Sequence, residues 1–275
     1  MAKLTFEAQV YKQIYPREFL SRFLQNGLRP DGRKVDQQRP LETAVDCIST
    51  ADGSCLLKLG KTSVLCGVKA HVTQPSLAHA NKGYIVPNVD LNPMCSPSYR
   101  PGPPPDVAQV MSEQLNRLFE SGEIVDLNEL CIIAGKLVWV LHVDVTVLCD
   151  DGNVFDAALM AIQMALQKTK LPRVHLDEEE MIVSVQEDEK PLFVTMKQLA
   201  IPVTVGFFQN QILFDLSKDE ELNCDGTMTV VVNPTKNIMS VWKAGSIAVP
   251  LESIQTVIQK SYDSHFAKAF YNRHK

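Results

Sequence analysis

Few side chains in this 275-residue sequence are spaced so that they could do chemistry, and each grouping has a plainer reading beside it. His142 and Asp144 stand two apart in an alternating apolar stretch, so they share one strand face, as an acid–base pair would. No nucleophile accompanies them in pattern, which favours hydrogen-bonded packing or an interface. Gly60-Lys-Thr62 has the outline of a phosphate loop but lacks the upstream glycine and falls where a hairpin turn belongs. The seven cysteines (47, 55, 66, 95, 131, 149 and 224) include no C-x-x-C pair and no Cys/His set at zinc spacing. They read as reduced thiols, several in apolar runs, and predict neither a disulfide framework nor a metal site. Asp177-Glu-Glu-Glu180 reads as a solvated helix start.

The elements that must position such groups are those of an ordinary globular chain: 45% of residues are hydrophobic and 21% charged, enough to build a core without staples. A net charge of -5 excludes a surface that is basic throughout, so any nucleic-acid contact must be local. The opening Met-Ala-Lys-Leu-Thr-Phe-Glu becomes charged too early for a secretory leader. The most apolar stretch, Cys131 to Cys149, carries Lys136, His142 and Asp144 and cannot cheaply cross a membrane. A soluble intracellular protein is expected.

A short amphipathic helix is predicted over 16–26, opened by Pro16, with Phe19, Leu20, Phe23 and Leu24 on one face and Gly27 as its left-handed cap. Arg29-Pro-Asp-Gly-Arg33 follows as a turn with a guanidinium at each end. Short strands punctuated by Asp52-Gly53 and Gly60-Lys61 run from Leu41 to Val72. Eight prolines then fall between 73 and 105, predicting a long, stiff, irregular excursion suited to partner contact. A helix over Val107–Glu120 has Asp106 as its expected N-cap and a stripe of Val107, Val110, Met111, Leu115 and Leu118. Leu137–Leu148 alternates cleanly as a strand, and Phe155–Lys168 is a helix apolar almost all round, hence buried. Strands are expected at 182–185, 201–208, 211–215, 227–232 and 238–242, and a closing helix from Pro250 carries Leu251, Ile254, Ile258, Phe266 and Ala269. The pattern predicts an α/β (α+β) architecture: one domain over 1–275, with an N-terminal arm of about 1–40 and pseudo-repeated halves of about 41–180 and 181–275.

Five stretches in order resemble the RNase PH family: Arg29-Pro-Asp-Gly-Arg33, residues 51–68 (Ala51 to Val68), Gly135-Lys-Leu-Val-Trp139, Asp151-Gly-Asn-Val-Phe-Asp-Ala157, and Ile212-Leu-Phe-Asp-Leu216 with Asp219-Glu-Glu221 behind it. Within the family, Gly83-Tyr-Ile-Val-Pro-Asn-Val-Asp-Leu91 looks like the non-catalytic branch of eukaryotic exosome ring subunits. The resemblance implies an S5-domain-2-like fold with βαβ halves and head-to-tail packing with other RNase PH-like subunits in a hexameric ring. It further implies S1/KH-domain cap subunits, an associated hydrolytic exoribonuclease, single-stranded RNA as a partner, and no cofactor or membrane. The work implied is rRNA maturation and mRNA turnover in nucleus, nucleolus and cytoplasm.

Active members hold inorganic phosphate with Gly-Gly-Thr-Arg or Gly-Ser-Arg at a strand-to-helix turn, where helix N–H groups favour an anion. The matching positions here read Gly152-Asn153-Val154-Phe155: the hydroxyl has become a methyl and the guanidinium a phenyl ring. Each lost charge-assisted hydrogen bond costs about 1.5–3 kcal/mol, which leaves little phosphorolysis, so no enzymatic activity is expected. Asp215 matches a catalytic aspartate of active members, with Glu221 near a second acid. The silent branch keeps such acids, so Asp215 reads as vestigial, capping the turn after its strand. Lys82 and Arg100 are weak candidates for RNA-backbone contact. The alternatives are an active phosphate-dependent 3′ exoribonuclease and a regulatory RNA-binding subunit acting outside a ring.

Overall fold

The computed structural model describes residues 8–76, 78–177, 182–186, 191–209, 211–235 and 237–262. Helices α1 (Ala8–Ile14) and α2 (Pro16–Gln25) open the chain, α2 beginning at Pro16 and followed by Gly27 at φ +70°, as the sequence predicts. Apolar alternation then builds a sheet in the order β1-β2-β3-β6-β4 from β1 (Leu41–Val45), β2 (Gly53–Leu59), β3 (Thr62–Thr73), β4 (Tyr84–Asp90) and β6 (Leu137–Cys149). Short β5 (Cys131–Ile133) pairs with β6, and β4 runs parallel to β6 after a crossover through α3 (Asp106–Glu120). One face buries Leu57, Cys66, Val68, Leu141, Val143 and Val145, while Lys69, His71, His142 and Asp144 stand exposed on the other.

Helix α4 (Val154–Lys168) has thirteen of its fifteen residues buried, because both of its sides are covered. It packs on β2 and β3 and, opposite them, on β11 (Ile201–Phe208) of a second sheet. That sheet has the order β12-β11-β13-β14, with β12 (Gln211–Phe214), β13 (Gly226–Val232) and β14 (Ile238–Gly245). Strands β12 and β13 both run antiparallel to β11, so with α5 (Lys218–Asn223) between them they form a split βαβ unit. Helix α6 (Leu251–Tyr262) packs on β13, and β11 is buried at every position. Two small ribbons, β7 (Lys170–Leu171) with β10 (Leu192–Phe193) and β8 (Arg173–Asp177) with β9 (Ile182–Gln186), complete the strands. The arm docks on the second sheet: Leu20 and Leu24 of α2 cluster with Phe208, Leu213 and Leu216.

Four expectations change. The proline-rich excursion contains a regular strand, β4, tolerated because it is an edge strand and Pro87 leaves no donor unpaired toward the sheet. Asp106 is the first helical residue of α3 and makes no cap bond; Pro105 precedes it in extended conformation. Its apolar stripe is divided: Leu115 and Leu118 are buried, but Val107 and Val110 are 50% and 55% exposed, because β4 covers only the other flank. Asp177 ends a strand rather than opening a helix. Residues 178–180 lie outside the described residues, as do Phe266 and Ala269. No described helix is long and apolar enough to cross a membrane.

Candidate functional site

The turn from β6 into α4 needs two left-handed residues in succession, which is why glycine and asparagine occupy it: Gly152 has φ +83° and Asn153 φ +55°. Asp150 braces this turn. Its Oδ1 accepts the Gly152 N–H at 3.0 Å, and its Oδ2 accepts Tyr99 Oη at 2.9 Å and lies 2.7 Å from Lys218 Nζ. The next two side chains point away from solvent. Val154 and Phe155 are buried, and the Phe155 ring meets Trp242 of β14 edge-on at 5.3 Å. The two positions on which the resemblance places phosphate ligands are therefore part of the apolar core.

The α4 N-terminus is nevertheless not without an anion. Glu221 of α5 reaches across, and the Asn153 N–H donates to its Oε1 at 2.6 Å. A helix terminus offers unpaired N–H groups and a positive partial charge, and here the chain's own carboxylate takes that place. The sequence carries a signal for the element that delivers it: Ser217 with Glu220 three residues on is a capping box, and the box forms. The resemblance places Glu221 near a second acid of active members, but nothing in the sequence pointed to its bond with Asn153 or to Trp242 as a cleft residue.

Asp215 does not cap a turn. It sits with φ +53° just after β12, 1% exposed, inside a cage of cations. Arg39 binds it through Nη2 at 2.7 Å and through its own backbone N–H at 2.7 Å. Arg33 Nη1 and Asn153 Nδ2 donate to it at 3.1 and 3.0 Å. Arg29, fully buried, pairs with Glu220 and donates to the carbonyls of Phe214 and Asp215 at 2.7 and 3.0 Å. The two guanidinium groups of the 29–33 turn thus clamp the N-terminal arm onto the second half, and Arg39 joins the halves through bonds to Asp215 and to the Asp151, Gly152 and Leu216 carbonyls. Burial alone would raise the Asp215 pKa, yet the Arg39 hydrogen bonds and charge, with Asn153, hold it below the ordinary carboxylate value. Every donor bonded to this carboxylate comes from the chain itself.

Beside the turn lies a cleft of about 490 Å³. Val107 and Val110 of α3 form one wall and Thr229 and Trp242 another, with Asn153, Phe155, Thr204 and Glu221 at its base. Asp156, in the first turn of α4, points away to the second sheet. Its oxygens accept the Thr204 N–H at 2.9 Å and Thr204 Oγ1 at 2.7 Å, and full burial pushes its pKa up to about 6. Lys82 and Arg100 are exposed and line neither this cleft nor one another's contacts. No hydrogen bond links His142 to Asp144; Asp144 accepts from Asn88 at 3.3 Å and His142 packs edge-on against His71 at 5.4 Å. Gly60-Lys61 is the β2–β3 hairpin turn, and Thr62 Oγ1 donates to the Gly152 carbonyl at 2.7 Å. All seven cysteines are free, and the described residues hold no group of three or more His, Cys, Asp or Glu that could bind a metal.

Burial pushes the Glu221 pKa up to about 7 from 4.5, against the Asn153 N–H and the charges of Lys218 and Arg39, with Asp150 adding to the rise. An acid whose folded pKa is raised keeps its proton longer folded than unfolded, so stability falls as pH rises from about 4.5 to about 7, and the penalty is complete above that. Glu221→Gln keeps an acceptor for Asn153 and removes the charge. With the side chain about a quarter exposed, the variant should be more stable than wild type by about 1–3 kcal/mol at pH 8 and show no gain near pH 4. Urea unfolding at both pH values checks this; an equal difference at the two would contradict it.

Two sheets clasping one buried helix, with a strand-to-helix turn at their seam, define an RNase PH-type subunit. Profiles of the 3′ exoribonuclease family match residues 37–172 as its domain 1 and residues 198–264 as its domain 2. The chain is 35% identical to the exosome complex component rrp43 of Schizosaccharomyces pombe, over 88% of this chain and 90% of that one. It is 37% identical to the exosome complex component Rrp42 of Thermococcus onnurineus, over 88% of each. Among solved structures, a chain of the Archaeoglobus fulgidus exosome with RNA bound to the active site superposes with a TM-score of 0.84 at 29% identity, covering 97% of this chain and 100% of that one. Rice Rrp46 shares the fold, with a TM-score of 0.65 at 18% identity, covering 88% of this chain and 98% of that one. The chain belongs to the RNase PH family of 3′ exoribonuclease-fold proteins.

Proposed function

We propose that this chain is a catalytically silent ring subunit of an RNA exosome core, working in 3′-to-5′ RNA processing and degradation as a scaffold for RNA threading. The exosome relatives support the ring assignment. The observation that carries silence is at the α4 N-terminus: Glu221 occupies the Asn153 N–H, and Val154 and Phe155 are buried where phosphate donors would have to stand. An incoming phosphate would meet a carboxylate and a phenyl ring in place of a hydroxyl and a guanidinium. Removing one donor to developing charge slows a reaction roughly 10²–10³-fold, and here two are gone and a like charge is added.

On this reading the chain packs head-to-tail with other RNase PH-like subunits in a hexameric ring, beneath S1/KH-domain caps and beside a hydrolytic exoribonuclease. Single-stranded RNA passes through the pore, with Lys82 and Arg100 as exposed cations for its backbone. The sites of action are nucleus and cytoplasm, nucleolus included. The two halves fold as one domain, because α4 packs on both sheets and Arg39 bonds to Asp151 and Gly152 on one side and to Asp215 on the other.

The purified chain, given inorganic phosphate, Mg²⁺ and a 3′-hydroxyl RNA, should release nucleoside diphosphates at least roughly 10⁴-fold more slowly than an active family member. Robust phosphate-dependent release would establish the phosphorolytic alternative instead. A tagged copy should co-purify with other RNase PH-like chains at equal stoichiometry; a monomer indifferent to them would contradict ring membership.

A further inference from the structure

The cleft at the α4 N-terminus has changed the sign of the ligand it suits, an inference that rests on the silent-site reading above. Two residues that line it, Asn153 and Glu221, each carry an acceptor short of donors. Asn153 is 2% exposed, and its Oδ1 has no hydrogen-bond partner. The amide cannot be turned round to relieve this, because Nδ2 donates to Asp215 Oδ1 at 3.0 Å and a flip would set oxygen against that carboxylate. A buried acceptor left unpaired costs about 1–3 kcal/mol, which a donor entering the cleft would recover.

Glu221 lies beside it. Its Oε1 takes the Asn153 N–H, while Oε2 has only Lys218 Nζ at 3.9 Å, and that ammonium is committed to Asp150 at 2.7 Å. Lys243, the cation on the cleft wall, donates to the Gly245 carbonyl at 3.0 Å. The raised Glu221 pKa is what an under-compensated carboxylate should show. Around these acceptors the walls are apolar and aromatic: the Phe155–Trp242 pair on one side and half-exposed Val107 and Val110 on the other.

A flat cation with several donors and an apolar stem satisfies all of this. A guanidinium can bond separate acceptors from one plane and lie against aromatic rings, whereas an ammonium is a strongly hydrated point charge. We propose that this cleft receives an arginine side chain from a neighbouring polypeptide, its guanidinium meeting Glu221 and Asn153 Oδ1 and its stem lying on Phe155 and Trp242. An RNA phosphate is disfavoured as the occupant, since it would meet the Glu221 carboxylate.

The test titrates the full-length chain with acetyl-arginine-amide, reading the Asn153 backbone amide and the Trp242 indole in ¹H–¹⁵N spectra. A saturable shift of both signals in the millimolar range is expected, with little response to acetyl-citrulline-amide, the uncharged isostere. Glu221→Gln, which keeps the Asn153 hydrogen bond, should weaken arginine binding at least about tenfold. Loss of response in a variant counts only if its near-UV circular dichroism matches wild type, and Trp242→Phe supplies a second variant outside the acidic group. No saturable response, an equal response to citrulline, or binding unchanged in Glu221→Gln would each overturn the proposal, the first meaning that water alone fills the cleft. Inorganic phosphate is titrated in parallel: a shift of Asn153 with phosphate would sink the silent-site reading itself, whereas failure of arginine with phosphate also silent would remove only the arginine site.

Discussion

Asp215→Ala should destabilise the protein by at least about 3–5 kcal/mol, enough to leave much of it insoluble. The carboxylate is the common anion for Arg39 and Arg33, whose side chains are 6% and 10% exposed, and it takes the Asn153 amide as well. Without it, Arg39 would keep only carbonyl oxygens, Thr62 Oγ1 and the more distant Asp151, and Arg33 only Asp31, carbonyl oxygens and the more distant Glu220. Breaking one partner out of a buried ionic cluster is the costly case, because the survivors keep their desolvation penalty and lose the compensating charge. Asp215→Asn keeps one acceptor oxygen and the shape, and should fall between wild type and alanine. Chemical denaturation of the three proteins measures the series. An alanine variant within about 1 kcal/mol of wild type would show that the cluster is not what joins the halves.

The same network makes Asp215 a poor probe of catalysis. Any loss of activity in an Asp215 variant would report misfolding before chemistry. The lowered pKa adds a second signature: stability contributed by Asp215 is present above its unfolded value of about 3.8 and lost as pH falls through the still lower folded value.

Gly152→Ala should cost about 2–5 kcal/mol, far more than one methyl group on a turn suggests. The residue has φ +83°, and a Cβ built there would stand 2.6 Å from the Lys218 nitrogen and the Ser217 carbonyl carbon and 2.7 Å from the Leu216 oxygen. All three are backbone atoms of the segment that leads into α5, so no rotamer change relieves the contact. The strand-to-helix turn and the α5 N-terminus would have to separate, pulling Glu221 from Asn153 and loosening the carbonyls that Arg39 holds. Gly27→Ala is the control. Its φ is +70° with nothing within 4 Å of the added carbon, so it carries the backbone strain alone, about 1 kcal/mol. Urea midpoints for the pair separate the two contributions, and equal losses would show that the close approach at Gly152 is slack.

What the chain dictated locally was legible before any coordinates. Alternation placed β6 because side chains on a strand change face at every residue, and a helix apolar all round could only be the buried α4. Pro16 and Gly27 bracketed α2 because each residue type permits its backbone conformation cheaply. The substitution of Val154 and Phe155 for phosphate donors was equally visible, since side-chain chemistry is written in the residue types.

Tertiary structure alone decided which neighbour each group meets. The α3 stripe divides at Val107 and Val110 because periodicity names a face but not how much of it a partner strand will cover. β4 was hidden among prolines because its tolerance for Pro87 depends on being an edge, a property of sheet order and not of the segment. Arg33 and Arg39 lie 182 and 176 residues from Asp215, and Asn153 lies 68 residues from Glu221. Pairings at such separations follow from how the two sheets close on α4, so the residue sequence supplied the charges and only the folded packing determined that they cancel one another.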